Sequence, residues 1–438
     1  MNFDVRDSLL VRNANVRRLI LGRLVTNAGD SVYAIAAMWL VYDLTGSSAY
    51  TGLAGFLTMA PQAMQVLAGP LVDRWSIRRI LVGTQLTQAV LVLVIPLADF
   101  LGHLSVWVVL TVMPLVSLLN QLVYPAQSAV VPRLVDDDDL VAANSLLSLS
   151  YQGVDLAFNA VAGVLIAATS AVTLYLVDSV SFAIAAGLFV RLSIPSTADG
   201  TVGENRNEAE AAVDAVSDGG TDESAGDDEA VQTGYVSDLQ AGLGFVRGSI
   251  LLPLLVSGLV VNGVLGGVWA TMPAFADARG GPEAYGFLMA AIAGGMLVGA
   301  VGASTFDHLP FGSLTIGLFV FSGVGWLVAI AVPSLAGTVA FLALATVPLG
   351  ISNVLSVAMI QSLVPESLLG RVMATVGSLS TLMMPVGSAL GGFLGDYVGS
   401  TSVVAAGGVG LLFVAVYVVA LPTLRRLPPI GDIETLSA

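Results

Sequence analysis

Twelve long apolar runs divide the chain, and each is close to the length of a helix that crosses a bilayer. Such a helix needs about 20 mostly apolar residues at about 1.5 Å rise per residue. The runs are rich in Leu, Val, Ala and Gly and lie at 18–42, 49–70, 79–98, 104–127, 141–168, 171–192, 249–273, 284–305, 312–332, 335–360, 371–395 and 400–421. Backbone polar groups in lipid must be satisfied within the segment, and the alternation typical of barrel strands is absent. The pattern therefore predicts an all-α membrane protein with twelve transmembrane helices.

The composition excludes most other classes of protein. Of 438 residues, 56% are hydrophobic and 11% are charged, whereas soluble domains carry about 25% charged residues. The sequence has no Cys and only two His, which argues against thiolate and His-rich metal sites. It also has no phosphate-binding loop of the ATPase kind and no nucleophile–base pair. We therefore predict that the protein is not an enzyme, needs no cofactor or metal, and has the lipid bilayer rather than nucleic acid as a partner.

The distribution of basic residues predicts the orientation in the membrane. All sixteen basic residues are Arg. With twelve spans, Arg279 falls on one side, Arg23 falls within the first run, and the other fourteen fall on the opposite side. Those fourteen are Arg6, Arg12, Arg17, Arg18, Arg74, Arg78, Arg79, Arg133, Arg191, Arg206, Arg247, Arg371, Arg425 and Arg426. Cytoplasmic loops carry the excess of basic residues. We therefore expect a multi-pass protein of the cell membrane with both termini in the cytoplasm.

The acidic residues indicate a saline habitat rather than a basic binding partner. The net charge is −15 without a single Lys, and much of the acidity lies in two stretches, Asp136 to Asp139 and Asp199 to Asp238. A carboxylate-rich surface suits high internal salt, because salt screens the repulsion between like charges. The composition is typical of a salt-loving microbe, such as a halophilic archaeon.

The chain is organised as two halves around a linker. Residues 195–233 have almost no large apolar side chains, so they cannot bury enough surface to fold alone. Leu134-Val135-Asp136-Asp137 before the fifth run resembles Leu363-Val364-Pro365-Glu366 before the eleventh, 229 residues further on. We predict a cytoplasmic N-terminus at 1–17, an N-terminal six-helix half at 18–193, an acidic cytoplasmic linker with a short interfacial helix at 194–247, a C-terminal six-helix half at 248–422 and a cytoplasmic tail at 423–438.

The loop between the second and third runs carries a family resemblance. It reads Gly69-Pro70-Leu71-Val72-Asp73-Arg74-Trp75-Ser76-Ile77-Arg78-Arg79 and resembles the signature loop of the major facilitator superfamily, Gly-x-Leu-Ala-Asp-Arg followed by further basic residues. Val131-Pro132-Arg133-Leu134-Val135 and Gly370-Arg371-Val372-Met373 look like its macrolide- and siderophore-exporter branch. The resemblance covers nearly the whole chain. It implies two six-helix pseudo-repeat halves that enclose a central site.

The resemblance also implies a gate at the signature loop, formed by Gly69, Asp73, Arg74, Arg78 and Arg79. A carboxylate there accepts hydrogen bonds from a helix N-terminus, and Arg side chains reach carboxylates or helix C-terminal carbonyls. The alternative is simple anchoring at the lipid headgroups.

The chain departs from its relatives in three places. The second-half loop keeps Asp307 without an Arg pair, the fourth run has no Arg, and the Gly-Pro-x-x-x-Gly motif of the fifth run keeps only Gly163.

Polar residues inside the runs predict a cavity between the halves. A charged residue at mid-membrane costs about 2.5–3.5 kcal/mol on insertion scales, so it usually faces a partner or a cavity. Asp30 and Asp155 are the candidates for ion coupling, although hydrogen bonds to Asn, Ser or Arg23 are the alternative. Asp178 in the sixth run is better explained by helix–helix hydrogen bonding, because the resemblance implies that this run is peripheral. The candidate cavity residues are Asn27, Asn120, Tyr124, Gln152, Asn159, Asn262, Trp269 and Asn353.

These observations predict a secondary active transporter. The resemblance to the exporter branch implies that it exports a small amphiphilic compound, drug-like or siderophore-like. We expect alternating access coupled to an ion gradient, with H⁺ antiport favoured and Na⁺ left open. One alternative is an uptake or facilitated-diffusion carrier with the same fold. Another is a membrane sensor or scaffold that does not transport, although a scaffold has no need of Asp30 and Asp155. The sequence leaves the substrate and the oligomeric state undetermined.

Overall fold

The structure, a computed structural model, describes residues 9–62, 75–136, 139–148, 150, 154, 158, 165, 168–194 and 244–433. These residues form helices joined by short turns and include no strand. The predicted linker falls outside them, except for residue 194 and a segment that begins with a helical turn at 244–247. The domain boundaries predicted from the sequence remain predictions.

The helices follow the predicted spans in order. They are α1 (Ala14–Thr45), α2 (Ser48–Met59), α3 (Ile77–Phe100), α4 (Val106–Val130), α5 (Leu140–Ser148), α6 (Ala171–Val190), α7 (Leu251–Asp277), α8 (Pro282–Gly302), α9 (Phe311–Ala331), α10 (Leu335–Leu363), α11 (Glu366–Val398) and α12 (Ser400–Ala420). Within the described part of the chain, all of these except α2 and α5 are long and apolar enough to cross a membrane, which makes ten. The prediction of an all-α membrane protein is confirmed.

Capping side chains fix where the first-half helices begin and end. Asn13 Oδ1 accepts hydrogen bonds from the backbone N–H groups of Asn15 and Val16 and so begins α1. Gly46 ends α1 in the left-handed region, with φ of 63°. Ser170 Oγ accepts from Thr173 N at 3.1 Å and begins α6. These caps hold Asp30 near the middle of α1 and Asp178 near the middle of α6.

The same helix pairs recur in the two halves. In the first half, α1 and α3 each pack on α6, while α4 packs on α3 and α2. In the second half, α7 and α9 each pack on α12, while α10 packs on α9 and α8. Across the halves, α2 lies along α11 and also contacts α7. The recurrence agrees with the predicted pseudo-repeat.

Close packing of α8 on α10 depends on one member of a glycine pair. A Cβ added at Gly295 would lie 2.1 Å from Thr346 Oγ1 and 2.2 Å from the Ala343 carbonyl oxygen, whereas a Cβ at Gly294 would meet nothing within 4 Å. Gly295 therefore allows backbone contact, and Gly294 faces open space. Close contact between membrane helices through small residues therefore explains Gly295 but not Gly294.

We expect Gly295→Ala to destabilise the protein and Gly294→Ala to leave it unchanged or more stable. Overpacking costs about 1–3 kcal/mol, whereas Gly→Ala in an open helix position gains up to about 1 kcal/mol in helix propensity. Thermal unfolding of the two variants in detergent measures the difference. Equal melting temperatures would contradict the packing described here.

Candidate functional site

An apolar cavity of about 510 Å³ lies in the C-terminal half. Helices α7, α10 and α11 supply most of its lining, and α8, α9 and α12 close its far side. The lining reaches Phe311 and Leu427 at the end of the molecule where α1 begins and α12 ends, which we call the Arg-rich end. The opposite end, which carries Arg279, is called the Arg-poor end. Three predicted cavity residues line this C-half cavity: Asn262, Trp269 and Asn353.

The lining of the C-half cavity is apolar with scattered hydroxyl and amide groups. None of the described residues that line it carries a charge. Met296, Met373 and Met384 contribute flexible thioethers, and Trp269 and Phe319 contribute aromatic faces. Such a surface fits an amphiphilic molecule with a large apolar body.

Asp30 lies in the N-terminal half at the end of a chain of amides. Asn120 Nδ2 on α4 donates to Asp30 Oδ2 at 3.5 Å. Gln88 Nε2 on α3 donates to Asn120 Oδ1 at 2.9 Å, and Gln85 Nε2 donates to Gln88 Oε1 at 3.1 Å. We call these four residues the N-half network. Asp30 is half-buried, so the network joins a partly accessible carboxylate to the interior of the half.

Arg23 and Asn27 occupy the same face of α1 toward the Arg-rich end. Arg23 is 2% exposed and donates from Nη2 to Asn27 Oδ1 at 3.0 Å. Asn27 Nδ2 in turn donates to the Ser150 carbonyl oxygen at 2.7 Å. The structure thus places a buried cation two turns of α1 away from Asp30. Arg23 was noted in the sequence as a possible partner of Asp30 rather than as a site residue.

Several predicted site residues lie outside the described part of the chain. Asp155, Gln152 and Asn159 on the fifth span do so, as do Gly69, Asp73 and Arg74 of the predicted gate. The backbone at Tyr124 is helical, but its side chain is not described. Their predicted roles remain predictions.

The two described Arg residues of the predicted gate are exposed. Arg78 Nη2 donates to the Val190 carbonyl oxygen, at the C-terminus of α6. Arg78 thus contacts a helix C-terminal carbonyl, and the gating role of this loop remains a prediction. Because α3 and α6 belong to the same half, this bond does not itself join the halves.

Sequence reasoning underestimated Asp178 on α6. Asp178 is 0% exposed, and its Oδ1 accepts from Ser181 Oγ at 3.2 Å. The helix–helix hydrogen bond expected at this position is made by the next residue, since Ser179 Oγ donates to the Ala89 carbonyl oxygen on α3 at 2.8 Å. Asp178 itself lies against α1. The i, i+3 spacing of Gln85 and Gln88 on an apolar helix was a further signal of a polar interior in this half.

A carboxylate joins the halves at the Arg-poor end. Asp396, near the end of α11, accepts from Ser47 Oγ at 2.5 Å, from Ser48 N at 2.7 Å and from Ala49 N at 3.3 Å. Ser47 precedes the first residue of α2 and makes no side-chain cap of its own. Asp396 therefore caps α2 from the other half, where the helix dipole favours an anion. We call this contact the α2–α11 latch.

Glycine and aromatic contacts close the same end. A Cβ added at Gly52 on α2 would lie 2.9 Å from Gly392 Cα on α11, so the two backbones touch. Tyr285 on α8 stacks near Trp39 on α1, with ring centroids 5.5 Å apart, and donates to the Ile35 carbonyl oxygen at 3.4 Å. The two halves therefore meet at the Arg-poor end, while the C-half cavity extends toward the Arg-rich end.

Known proteins share this architecture. The family model of the Major Facilitator Superfamily matches residues 19–384. The chain is 27% identical over 418 residues to the MFS-type transporter YvqJ of Bacillus subtilis (strain 168), covering 93% of this chain and 92% of that protein. It is 23% identical over 417 residues to macrolide efflux protein A of Streptococcus pyogenes, covering 93% and 95%.

A solved structure agrees with these matches at the level of the fold. A bacterial homologue of the iron transporter ferroportin in an inward-facing state matches with a TM-score of 0.62 at 17% identity, over 92% of this chain and 98% of that one. The relatives are transporters rather than enzymes, and the predicted fold of two six-helix halves is confirmed. Since the family match spans most of its length, the chain belongs to the major facilitator superfamily.

Proposed function

We propose that the protein exports a small amphiphilic compound by alternating access, driven by inward flow of protons. The observation that carries the proposal is the uncharged C-half cavity together with a half-buried carboxylate, Asp30, in the opposite half. The cavity offers the apolar contacts that a drug-like or siderophore-like body needs. Asp30 offers the ionisable group that an ion-driven cycle needs. The similarity to macrolide efflux protein A supports export and this substrate class.

The closed Arg-poor end supports an inward-facing state. The arginine distribution supports a cytoplasmic location for the Arg-rich end, in a protein that we propose lies in the cell membrane. On that assignment, the α2–α11 latch and the contact between Trp39 and Tyr285 close the extracellular end. The C-half cavity then faces the cytoplasm, where an exporter collects its substrate. Opening at the latch would release the substrate outside.

Three alternatives share the fold. An uptake carrier would use the same cavity with symport of the ion, and a facilitated-diffusion carrier would ignore the gradient. A sensor or scaffold would not move substrate at all. Asp155 is retained as a second candidate for coupling, and Na⁺ is retained as an alternative ion. The polarity of the gradient that drives accumulation separates antiport from symport. Absence of accumulation marks facilitated diffusion or a scaffold.

Transport in proteoliposomes tests the proposal. The probes are a permanently charged lipophilic cation and a macrolide, with the membrane voltage clamped by K⁺ and valinomycin. Proton antiport predicts that an acidic lumen drives each substrate into the lumen above the level of protein-free liposomes. Symport predicts accumulation only with an acidic exterior, and facilitated diffusion predicts equilibration without accumulation. Accumulation that depends on an imposed Na⁺ gradient would make Na⁺, rather than H⁺, the driving ion. Absence of protein-dependent movement of every probe would favour the sensor or scaffold alternative.

A matched pair of variants tests the cavity. Trp269 lines the C-half cavity, whereas Phe321 on α9 is 57% exposed and does not. Burial of one large apolar side chain contributes about 1.5–3 kcal/mol, and about 1.4 kcal/mol is tenfold in affinity. Trp269→Ala is therefore expected to raise the half-saturating substrate concentration about tenfold or more, and Phe321→Ala to leave it unchanged. Equal effects of the two would contradict the assignment of the cavity.

A further inference from the structure

Asp178 is a buried carboxylate that the proposed function does not use. It is 0% exposed, and Ser181 Oγ donates to its Oδ1. Its Oδ2 has no hydrogen-bond partner among the described residues. An ionised carboxylate without compensation in a low-dielectric interior is strongly unfavourable, and such groups are usually paired or neutralised. A single proton on Oδ2 would remove the charge and supply an O–H donor.

Asp178 lies directly against the segment of α1 that carries Asp30. A Cβ added at Gly29 would lie 2.3 Å from Asp178 Oδ1 and 2.3 Å from Ser181 Oγ, so only glycine allows this approach. Asp30 follows Gly29 in the chain, and its carboxylate interacts electrostatically with Asp178. Two carboxylates that interact in this way repel each other when both are ionised, and one shared proton removes the repulsion.

Among the described residues, the groups around the pair leave Asp178 enclosed and Asp30 partly accessible. On the Arg-poor side, one turn away, Tyr33 and Tyr175 meet edge to face with ring centroids 5.3 Å apart, and both are buried. On α3, the element packed against the other side of α6, Ala89 lies level with Asp178. The charged residues of α3, Arg78, Arg79 and Asp99, lie near its two ends, far from this level.

Asp30 is the accessible member of the pair. It is half-buried and receives the hydrogen bond from Asn120, whereas Asp178 is enclosed behind it. Arg23 lies two turns of α1 toward the Arg-rich end and is the nearest cation on that helix. A proton from solvent therefore meets Asp30 first.

We propose that Asp30 and Asp178 form one proton-binding site, in which a proton taken up through Asp30 is shared with Asp178. Uptake forms one O–H bond, breaks none within the protein and changes the charge of the pair from −2 to −1. Release returns the proton to solvent through Asp30. The inference deepens the proposed function and rests on it, because it names the site that holds the coupling ion. It makes Asp178 part of that site rather than a packing residue.

Infrared titration of the purified full-length protein in lipid nanodiscs tests the pair without any transport. The signal is the C=O stretching band of a protonated, buried carboxyl group, followed against pH in wild type, Asp30→Asn, Asp178→Asn and the double variant. Coupled groups influence each other by more than about one pH unit. We therefore expect each single variant to move the midpoint of the remaining band by about one unit or more, and the double variant to lose it. Asp99→Asn, an exposed carboxylate on α3, is the control and should leave the band unchanged.

The design stays decisive if Asp178→Asn does not fold. Ser181→Ala removes the hydroxyl that donates to Asp178 Oδ1 and should move the same midpoint. Midpoints that ignore Ser181→Ala, or that ignore replacement of the other carboxylate, would overturn the shared site. A midpoint that follows the Na⁺ concentration would overturn the assignment to a proton. Loss of the proposed transport with the coupled titration intact would refute the function and leave the site standing.

Discussion

Asp30→Asn is expected to abolish gradient-driven accumulation of substrate while leaving substrate exchange intact. Asn is nearly isosteric with Asp, and its side-chain oxygen still accepts the hydrogen bond from Asn120. It cannot take up a proton, so the driving ion no longer enters the cycle. Accumulation in proteoliposomes with an acidic lumen should fall to the level of protein-free liposomes. This is the largest loss that the proposed mechanism predicts for a single substitution.

Exchange separates loss of coupling from loss of folding. Exchange of labelled for unlabelled substrate across the membrane needs the cavity and alternating access, but no net movement of protons. Asp30→Asn should therefore exchange substrate at near the wild-type rate, and the rate should lose the part of its pH dependence that Asp30 contributes. Asp99→Asn serves as the control with an equal change of charge. Accumulation by Asp30→Asn at the wild-type level would exclude Asp30 as the coupling group and favour Asp155.

The helices were predictable because lipid imposes a simple rule on the chain. Each span must be apolar, and it must satisfy its own backbone, so run length alone identifies it. The sixth run, predicted at 171–192, is Ala171–Val190 in the structure. It begins after the Ser170 cap and ends at Arg191, both of which are visible in the sequence. The sequence predicted a repeat of two halves, and the structure shows which helices pair within each half.

The site was less predictable, because its contacts join residues that are distant in sequence. The stripes of polar residues showed which helices have a polar face, and three residues of the second-half set do line the C-half cavity. Nothing local reveals that Asp178 lies against Gly29. Periodicity assigns Asp178 to a helix–helix contact, but the identity of the partner helix depends on packing. A buried polar group was thus detected, and its partner was not.

The α2–α11 latch escaped prediction for the same reason. Asp396 is separated from Ser47 by most of the chain and lies near the end of an ordinary apolar span. Carboxylates at span ends usually meet water, so nothing in the sequence indicates that Asp396 has a partner in the other half. Only the fold brings its carboxylate onto the first turn of α2.

Asp396→Ala is expected to shift the protein toward a state that is open at the Arg-poor end. The substitution removes three hydrogen bonds that join the halves, two of them to backbone N–H groups at the start of α2. Hydrogen bonds to charged groups are each worth about 1.5–3 kcal/mol at most, and solvent lowers this because Asp396 is exposed. A net loss of about 1–2 kcal/mol changes a two-state population about five- to thirtyfold. In Asp396→Ala, the state closed at the Arg-poor end is therefore expected to lose most of its excess population over the state open at that end.

The chain has no cysteine, so one introduced thiol reports on this equilibrium. Ser388 on α11 is 1% exposed and lies at the interface with α2, where its Oγ donates to the Gly52 carbonyl oxygen. In a Ser388→Cys background, Asp396→Ala should raise the rate of labelling by a membrane-impermeant maleimide about five- to thirtyfold, the same factor as the population. Asp396→Asn keeps an acceptor oxygen without the charge, so its labelling rate should lie between those of Asp396→Ala and the Ser388→Cys background. Asp99→Asn should be labelled at the background rate. Labelling of Asp396→Ala at the background rate would mean that the glycine and aromatic contacts hold this end closed without the carboxylate.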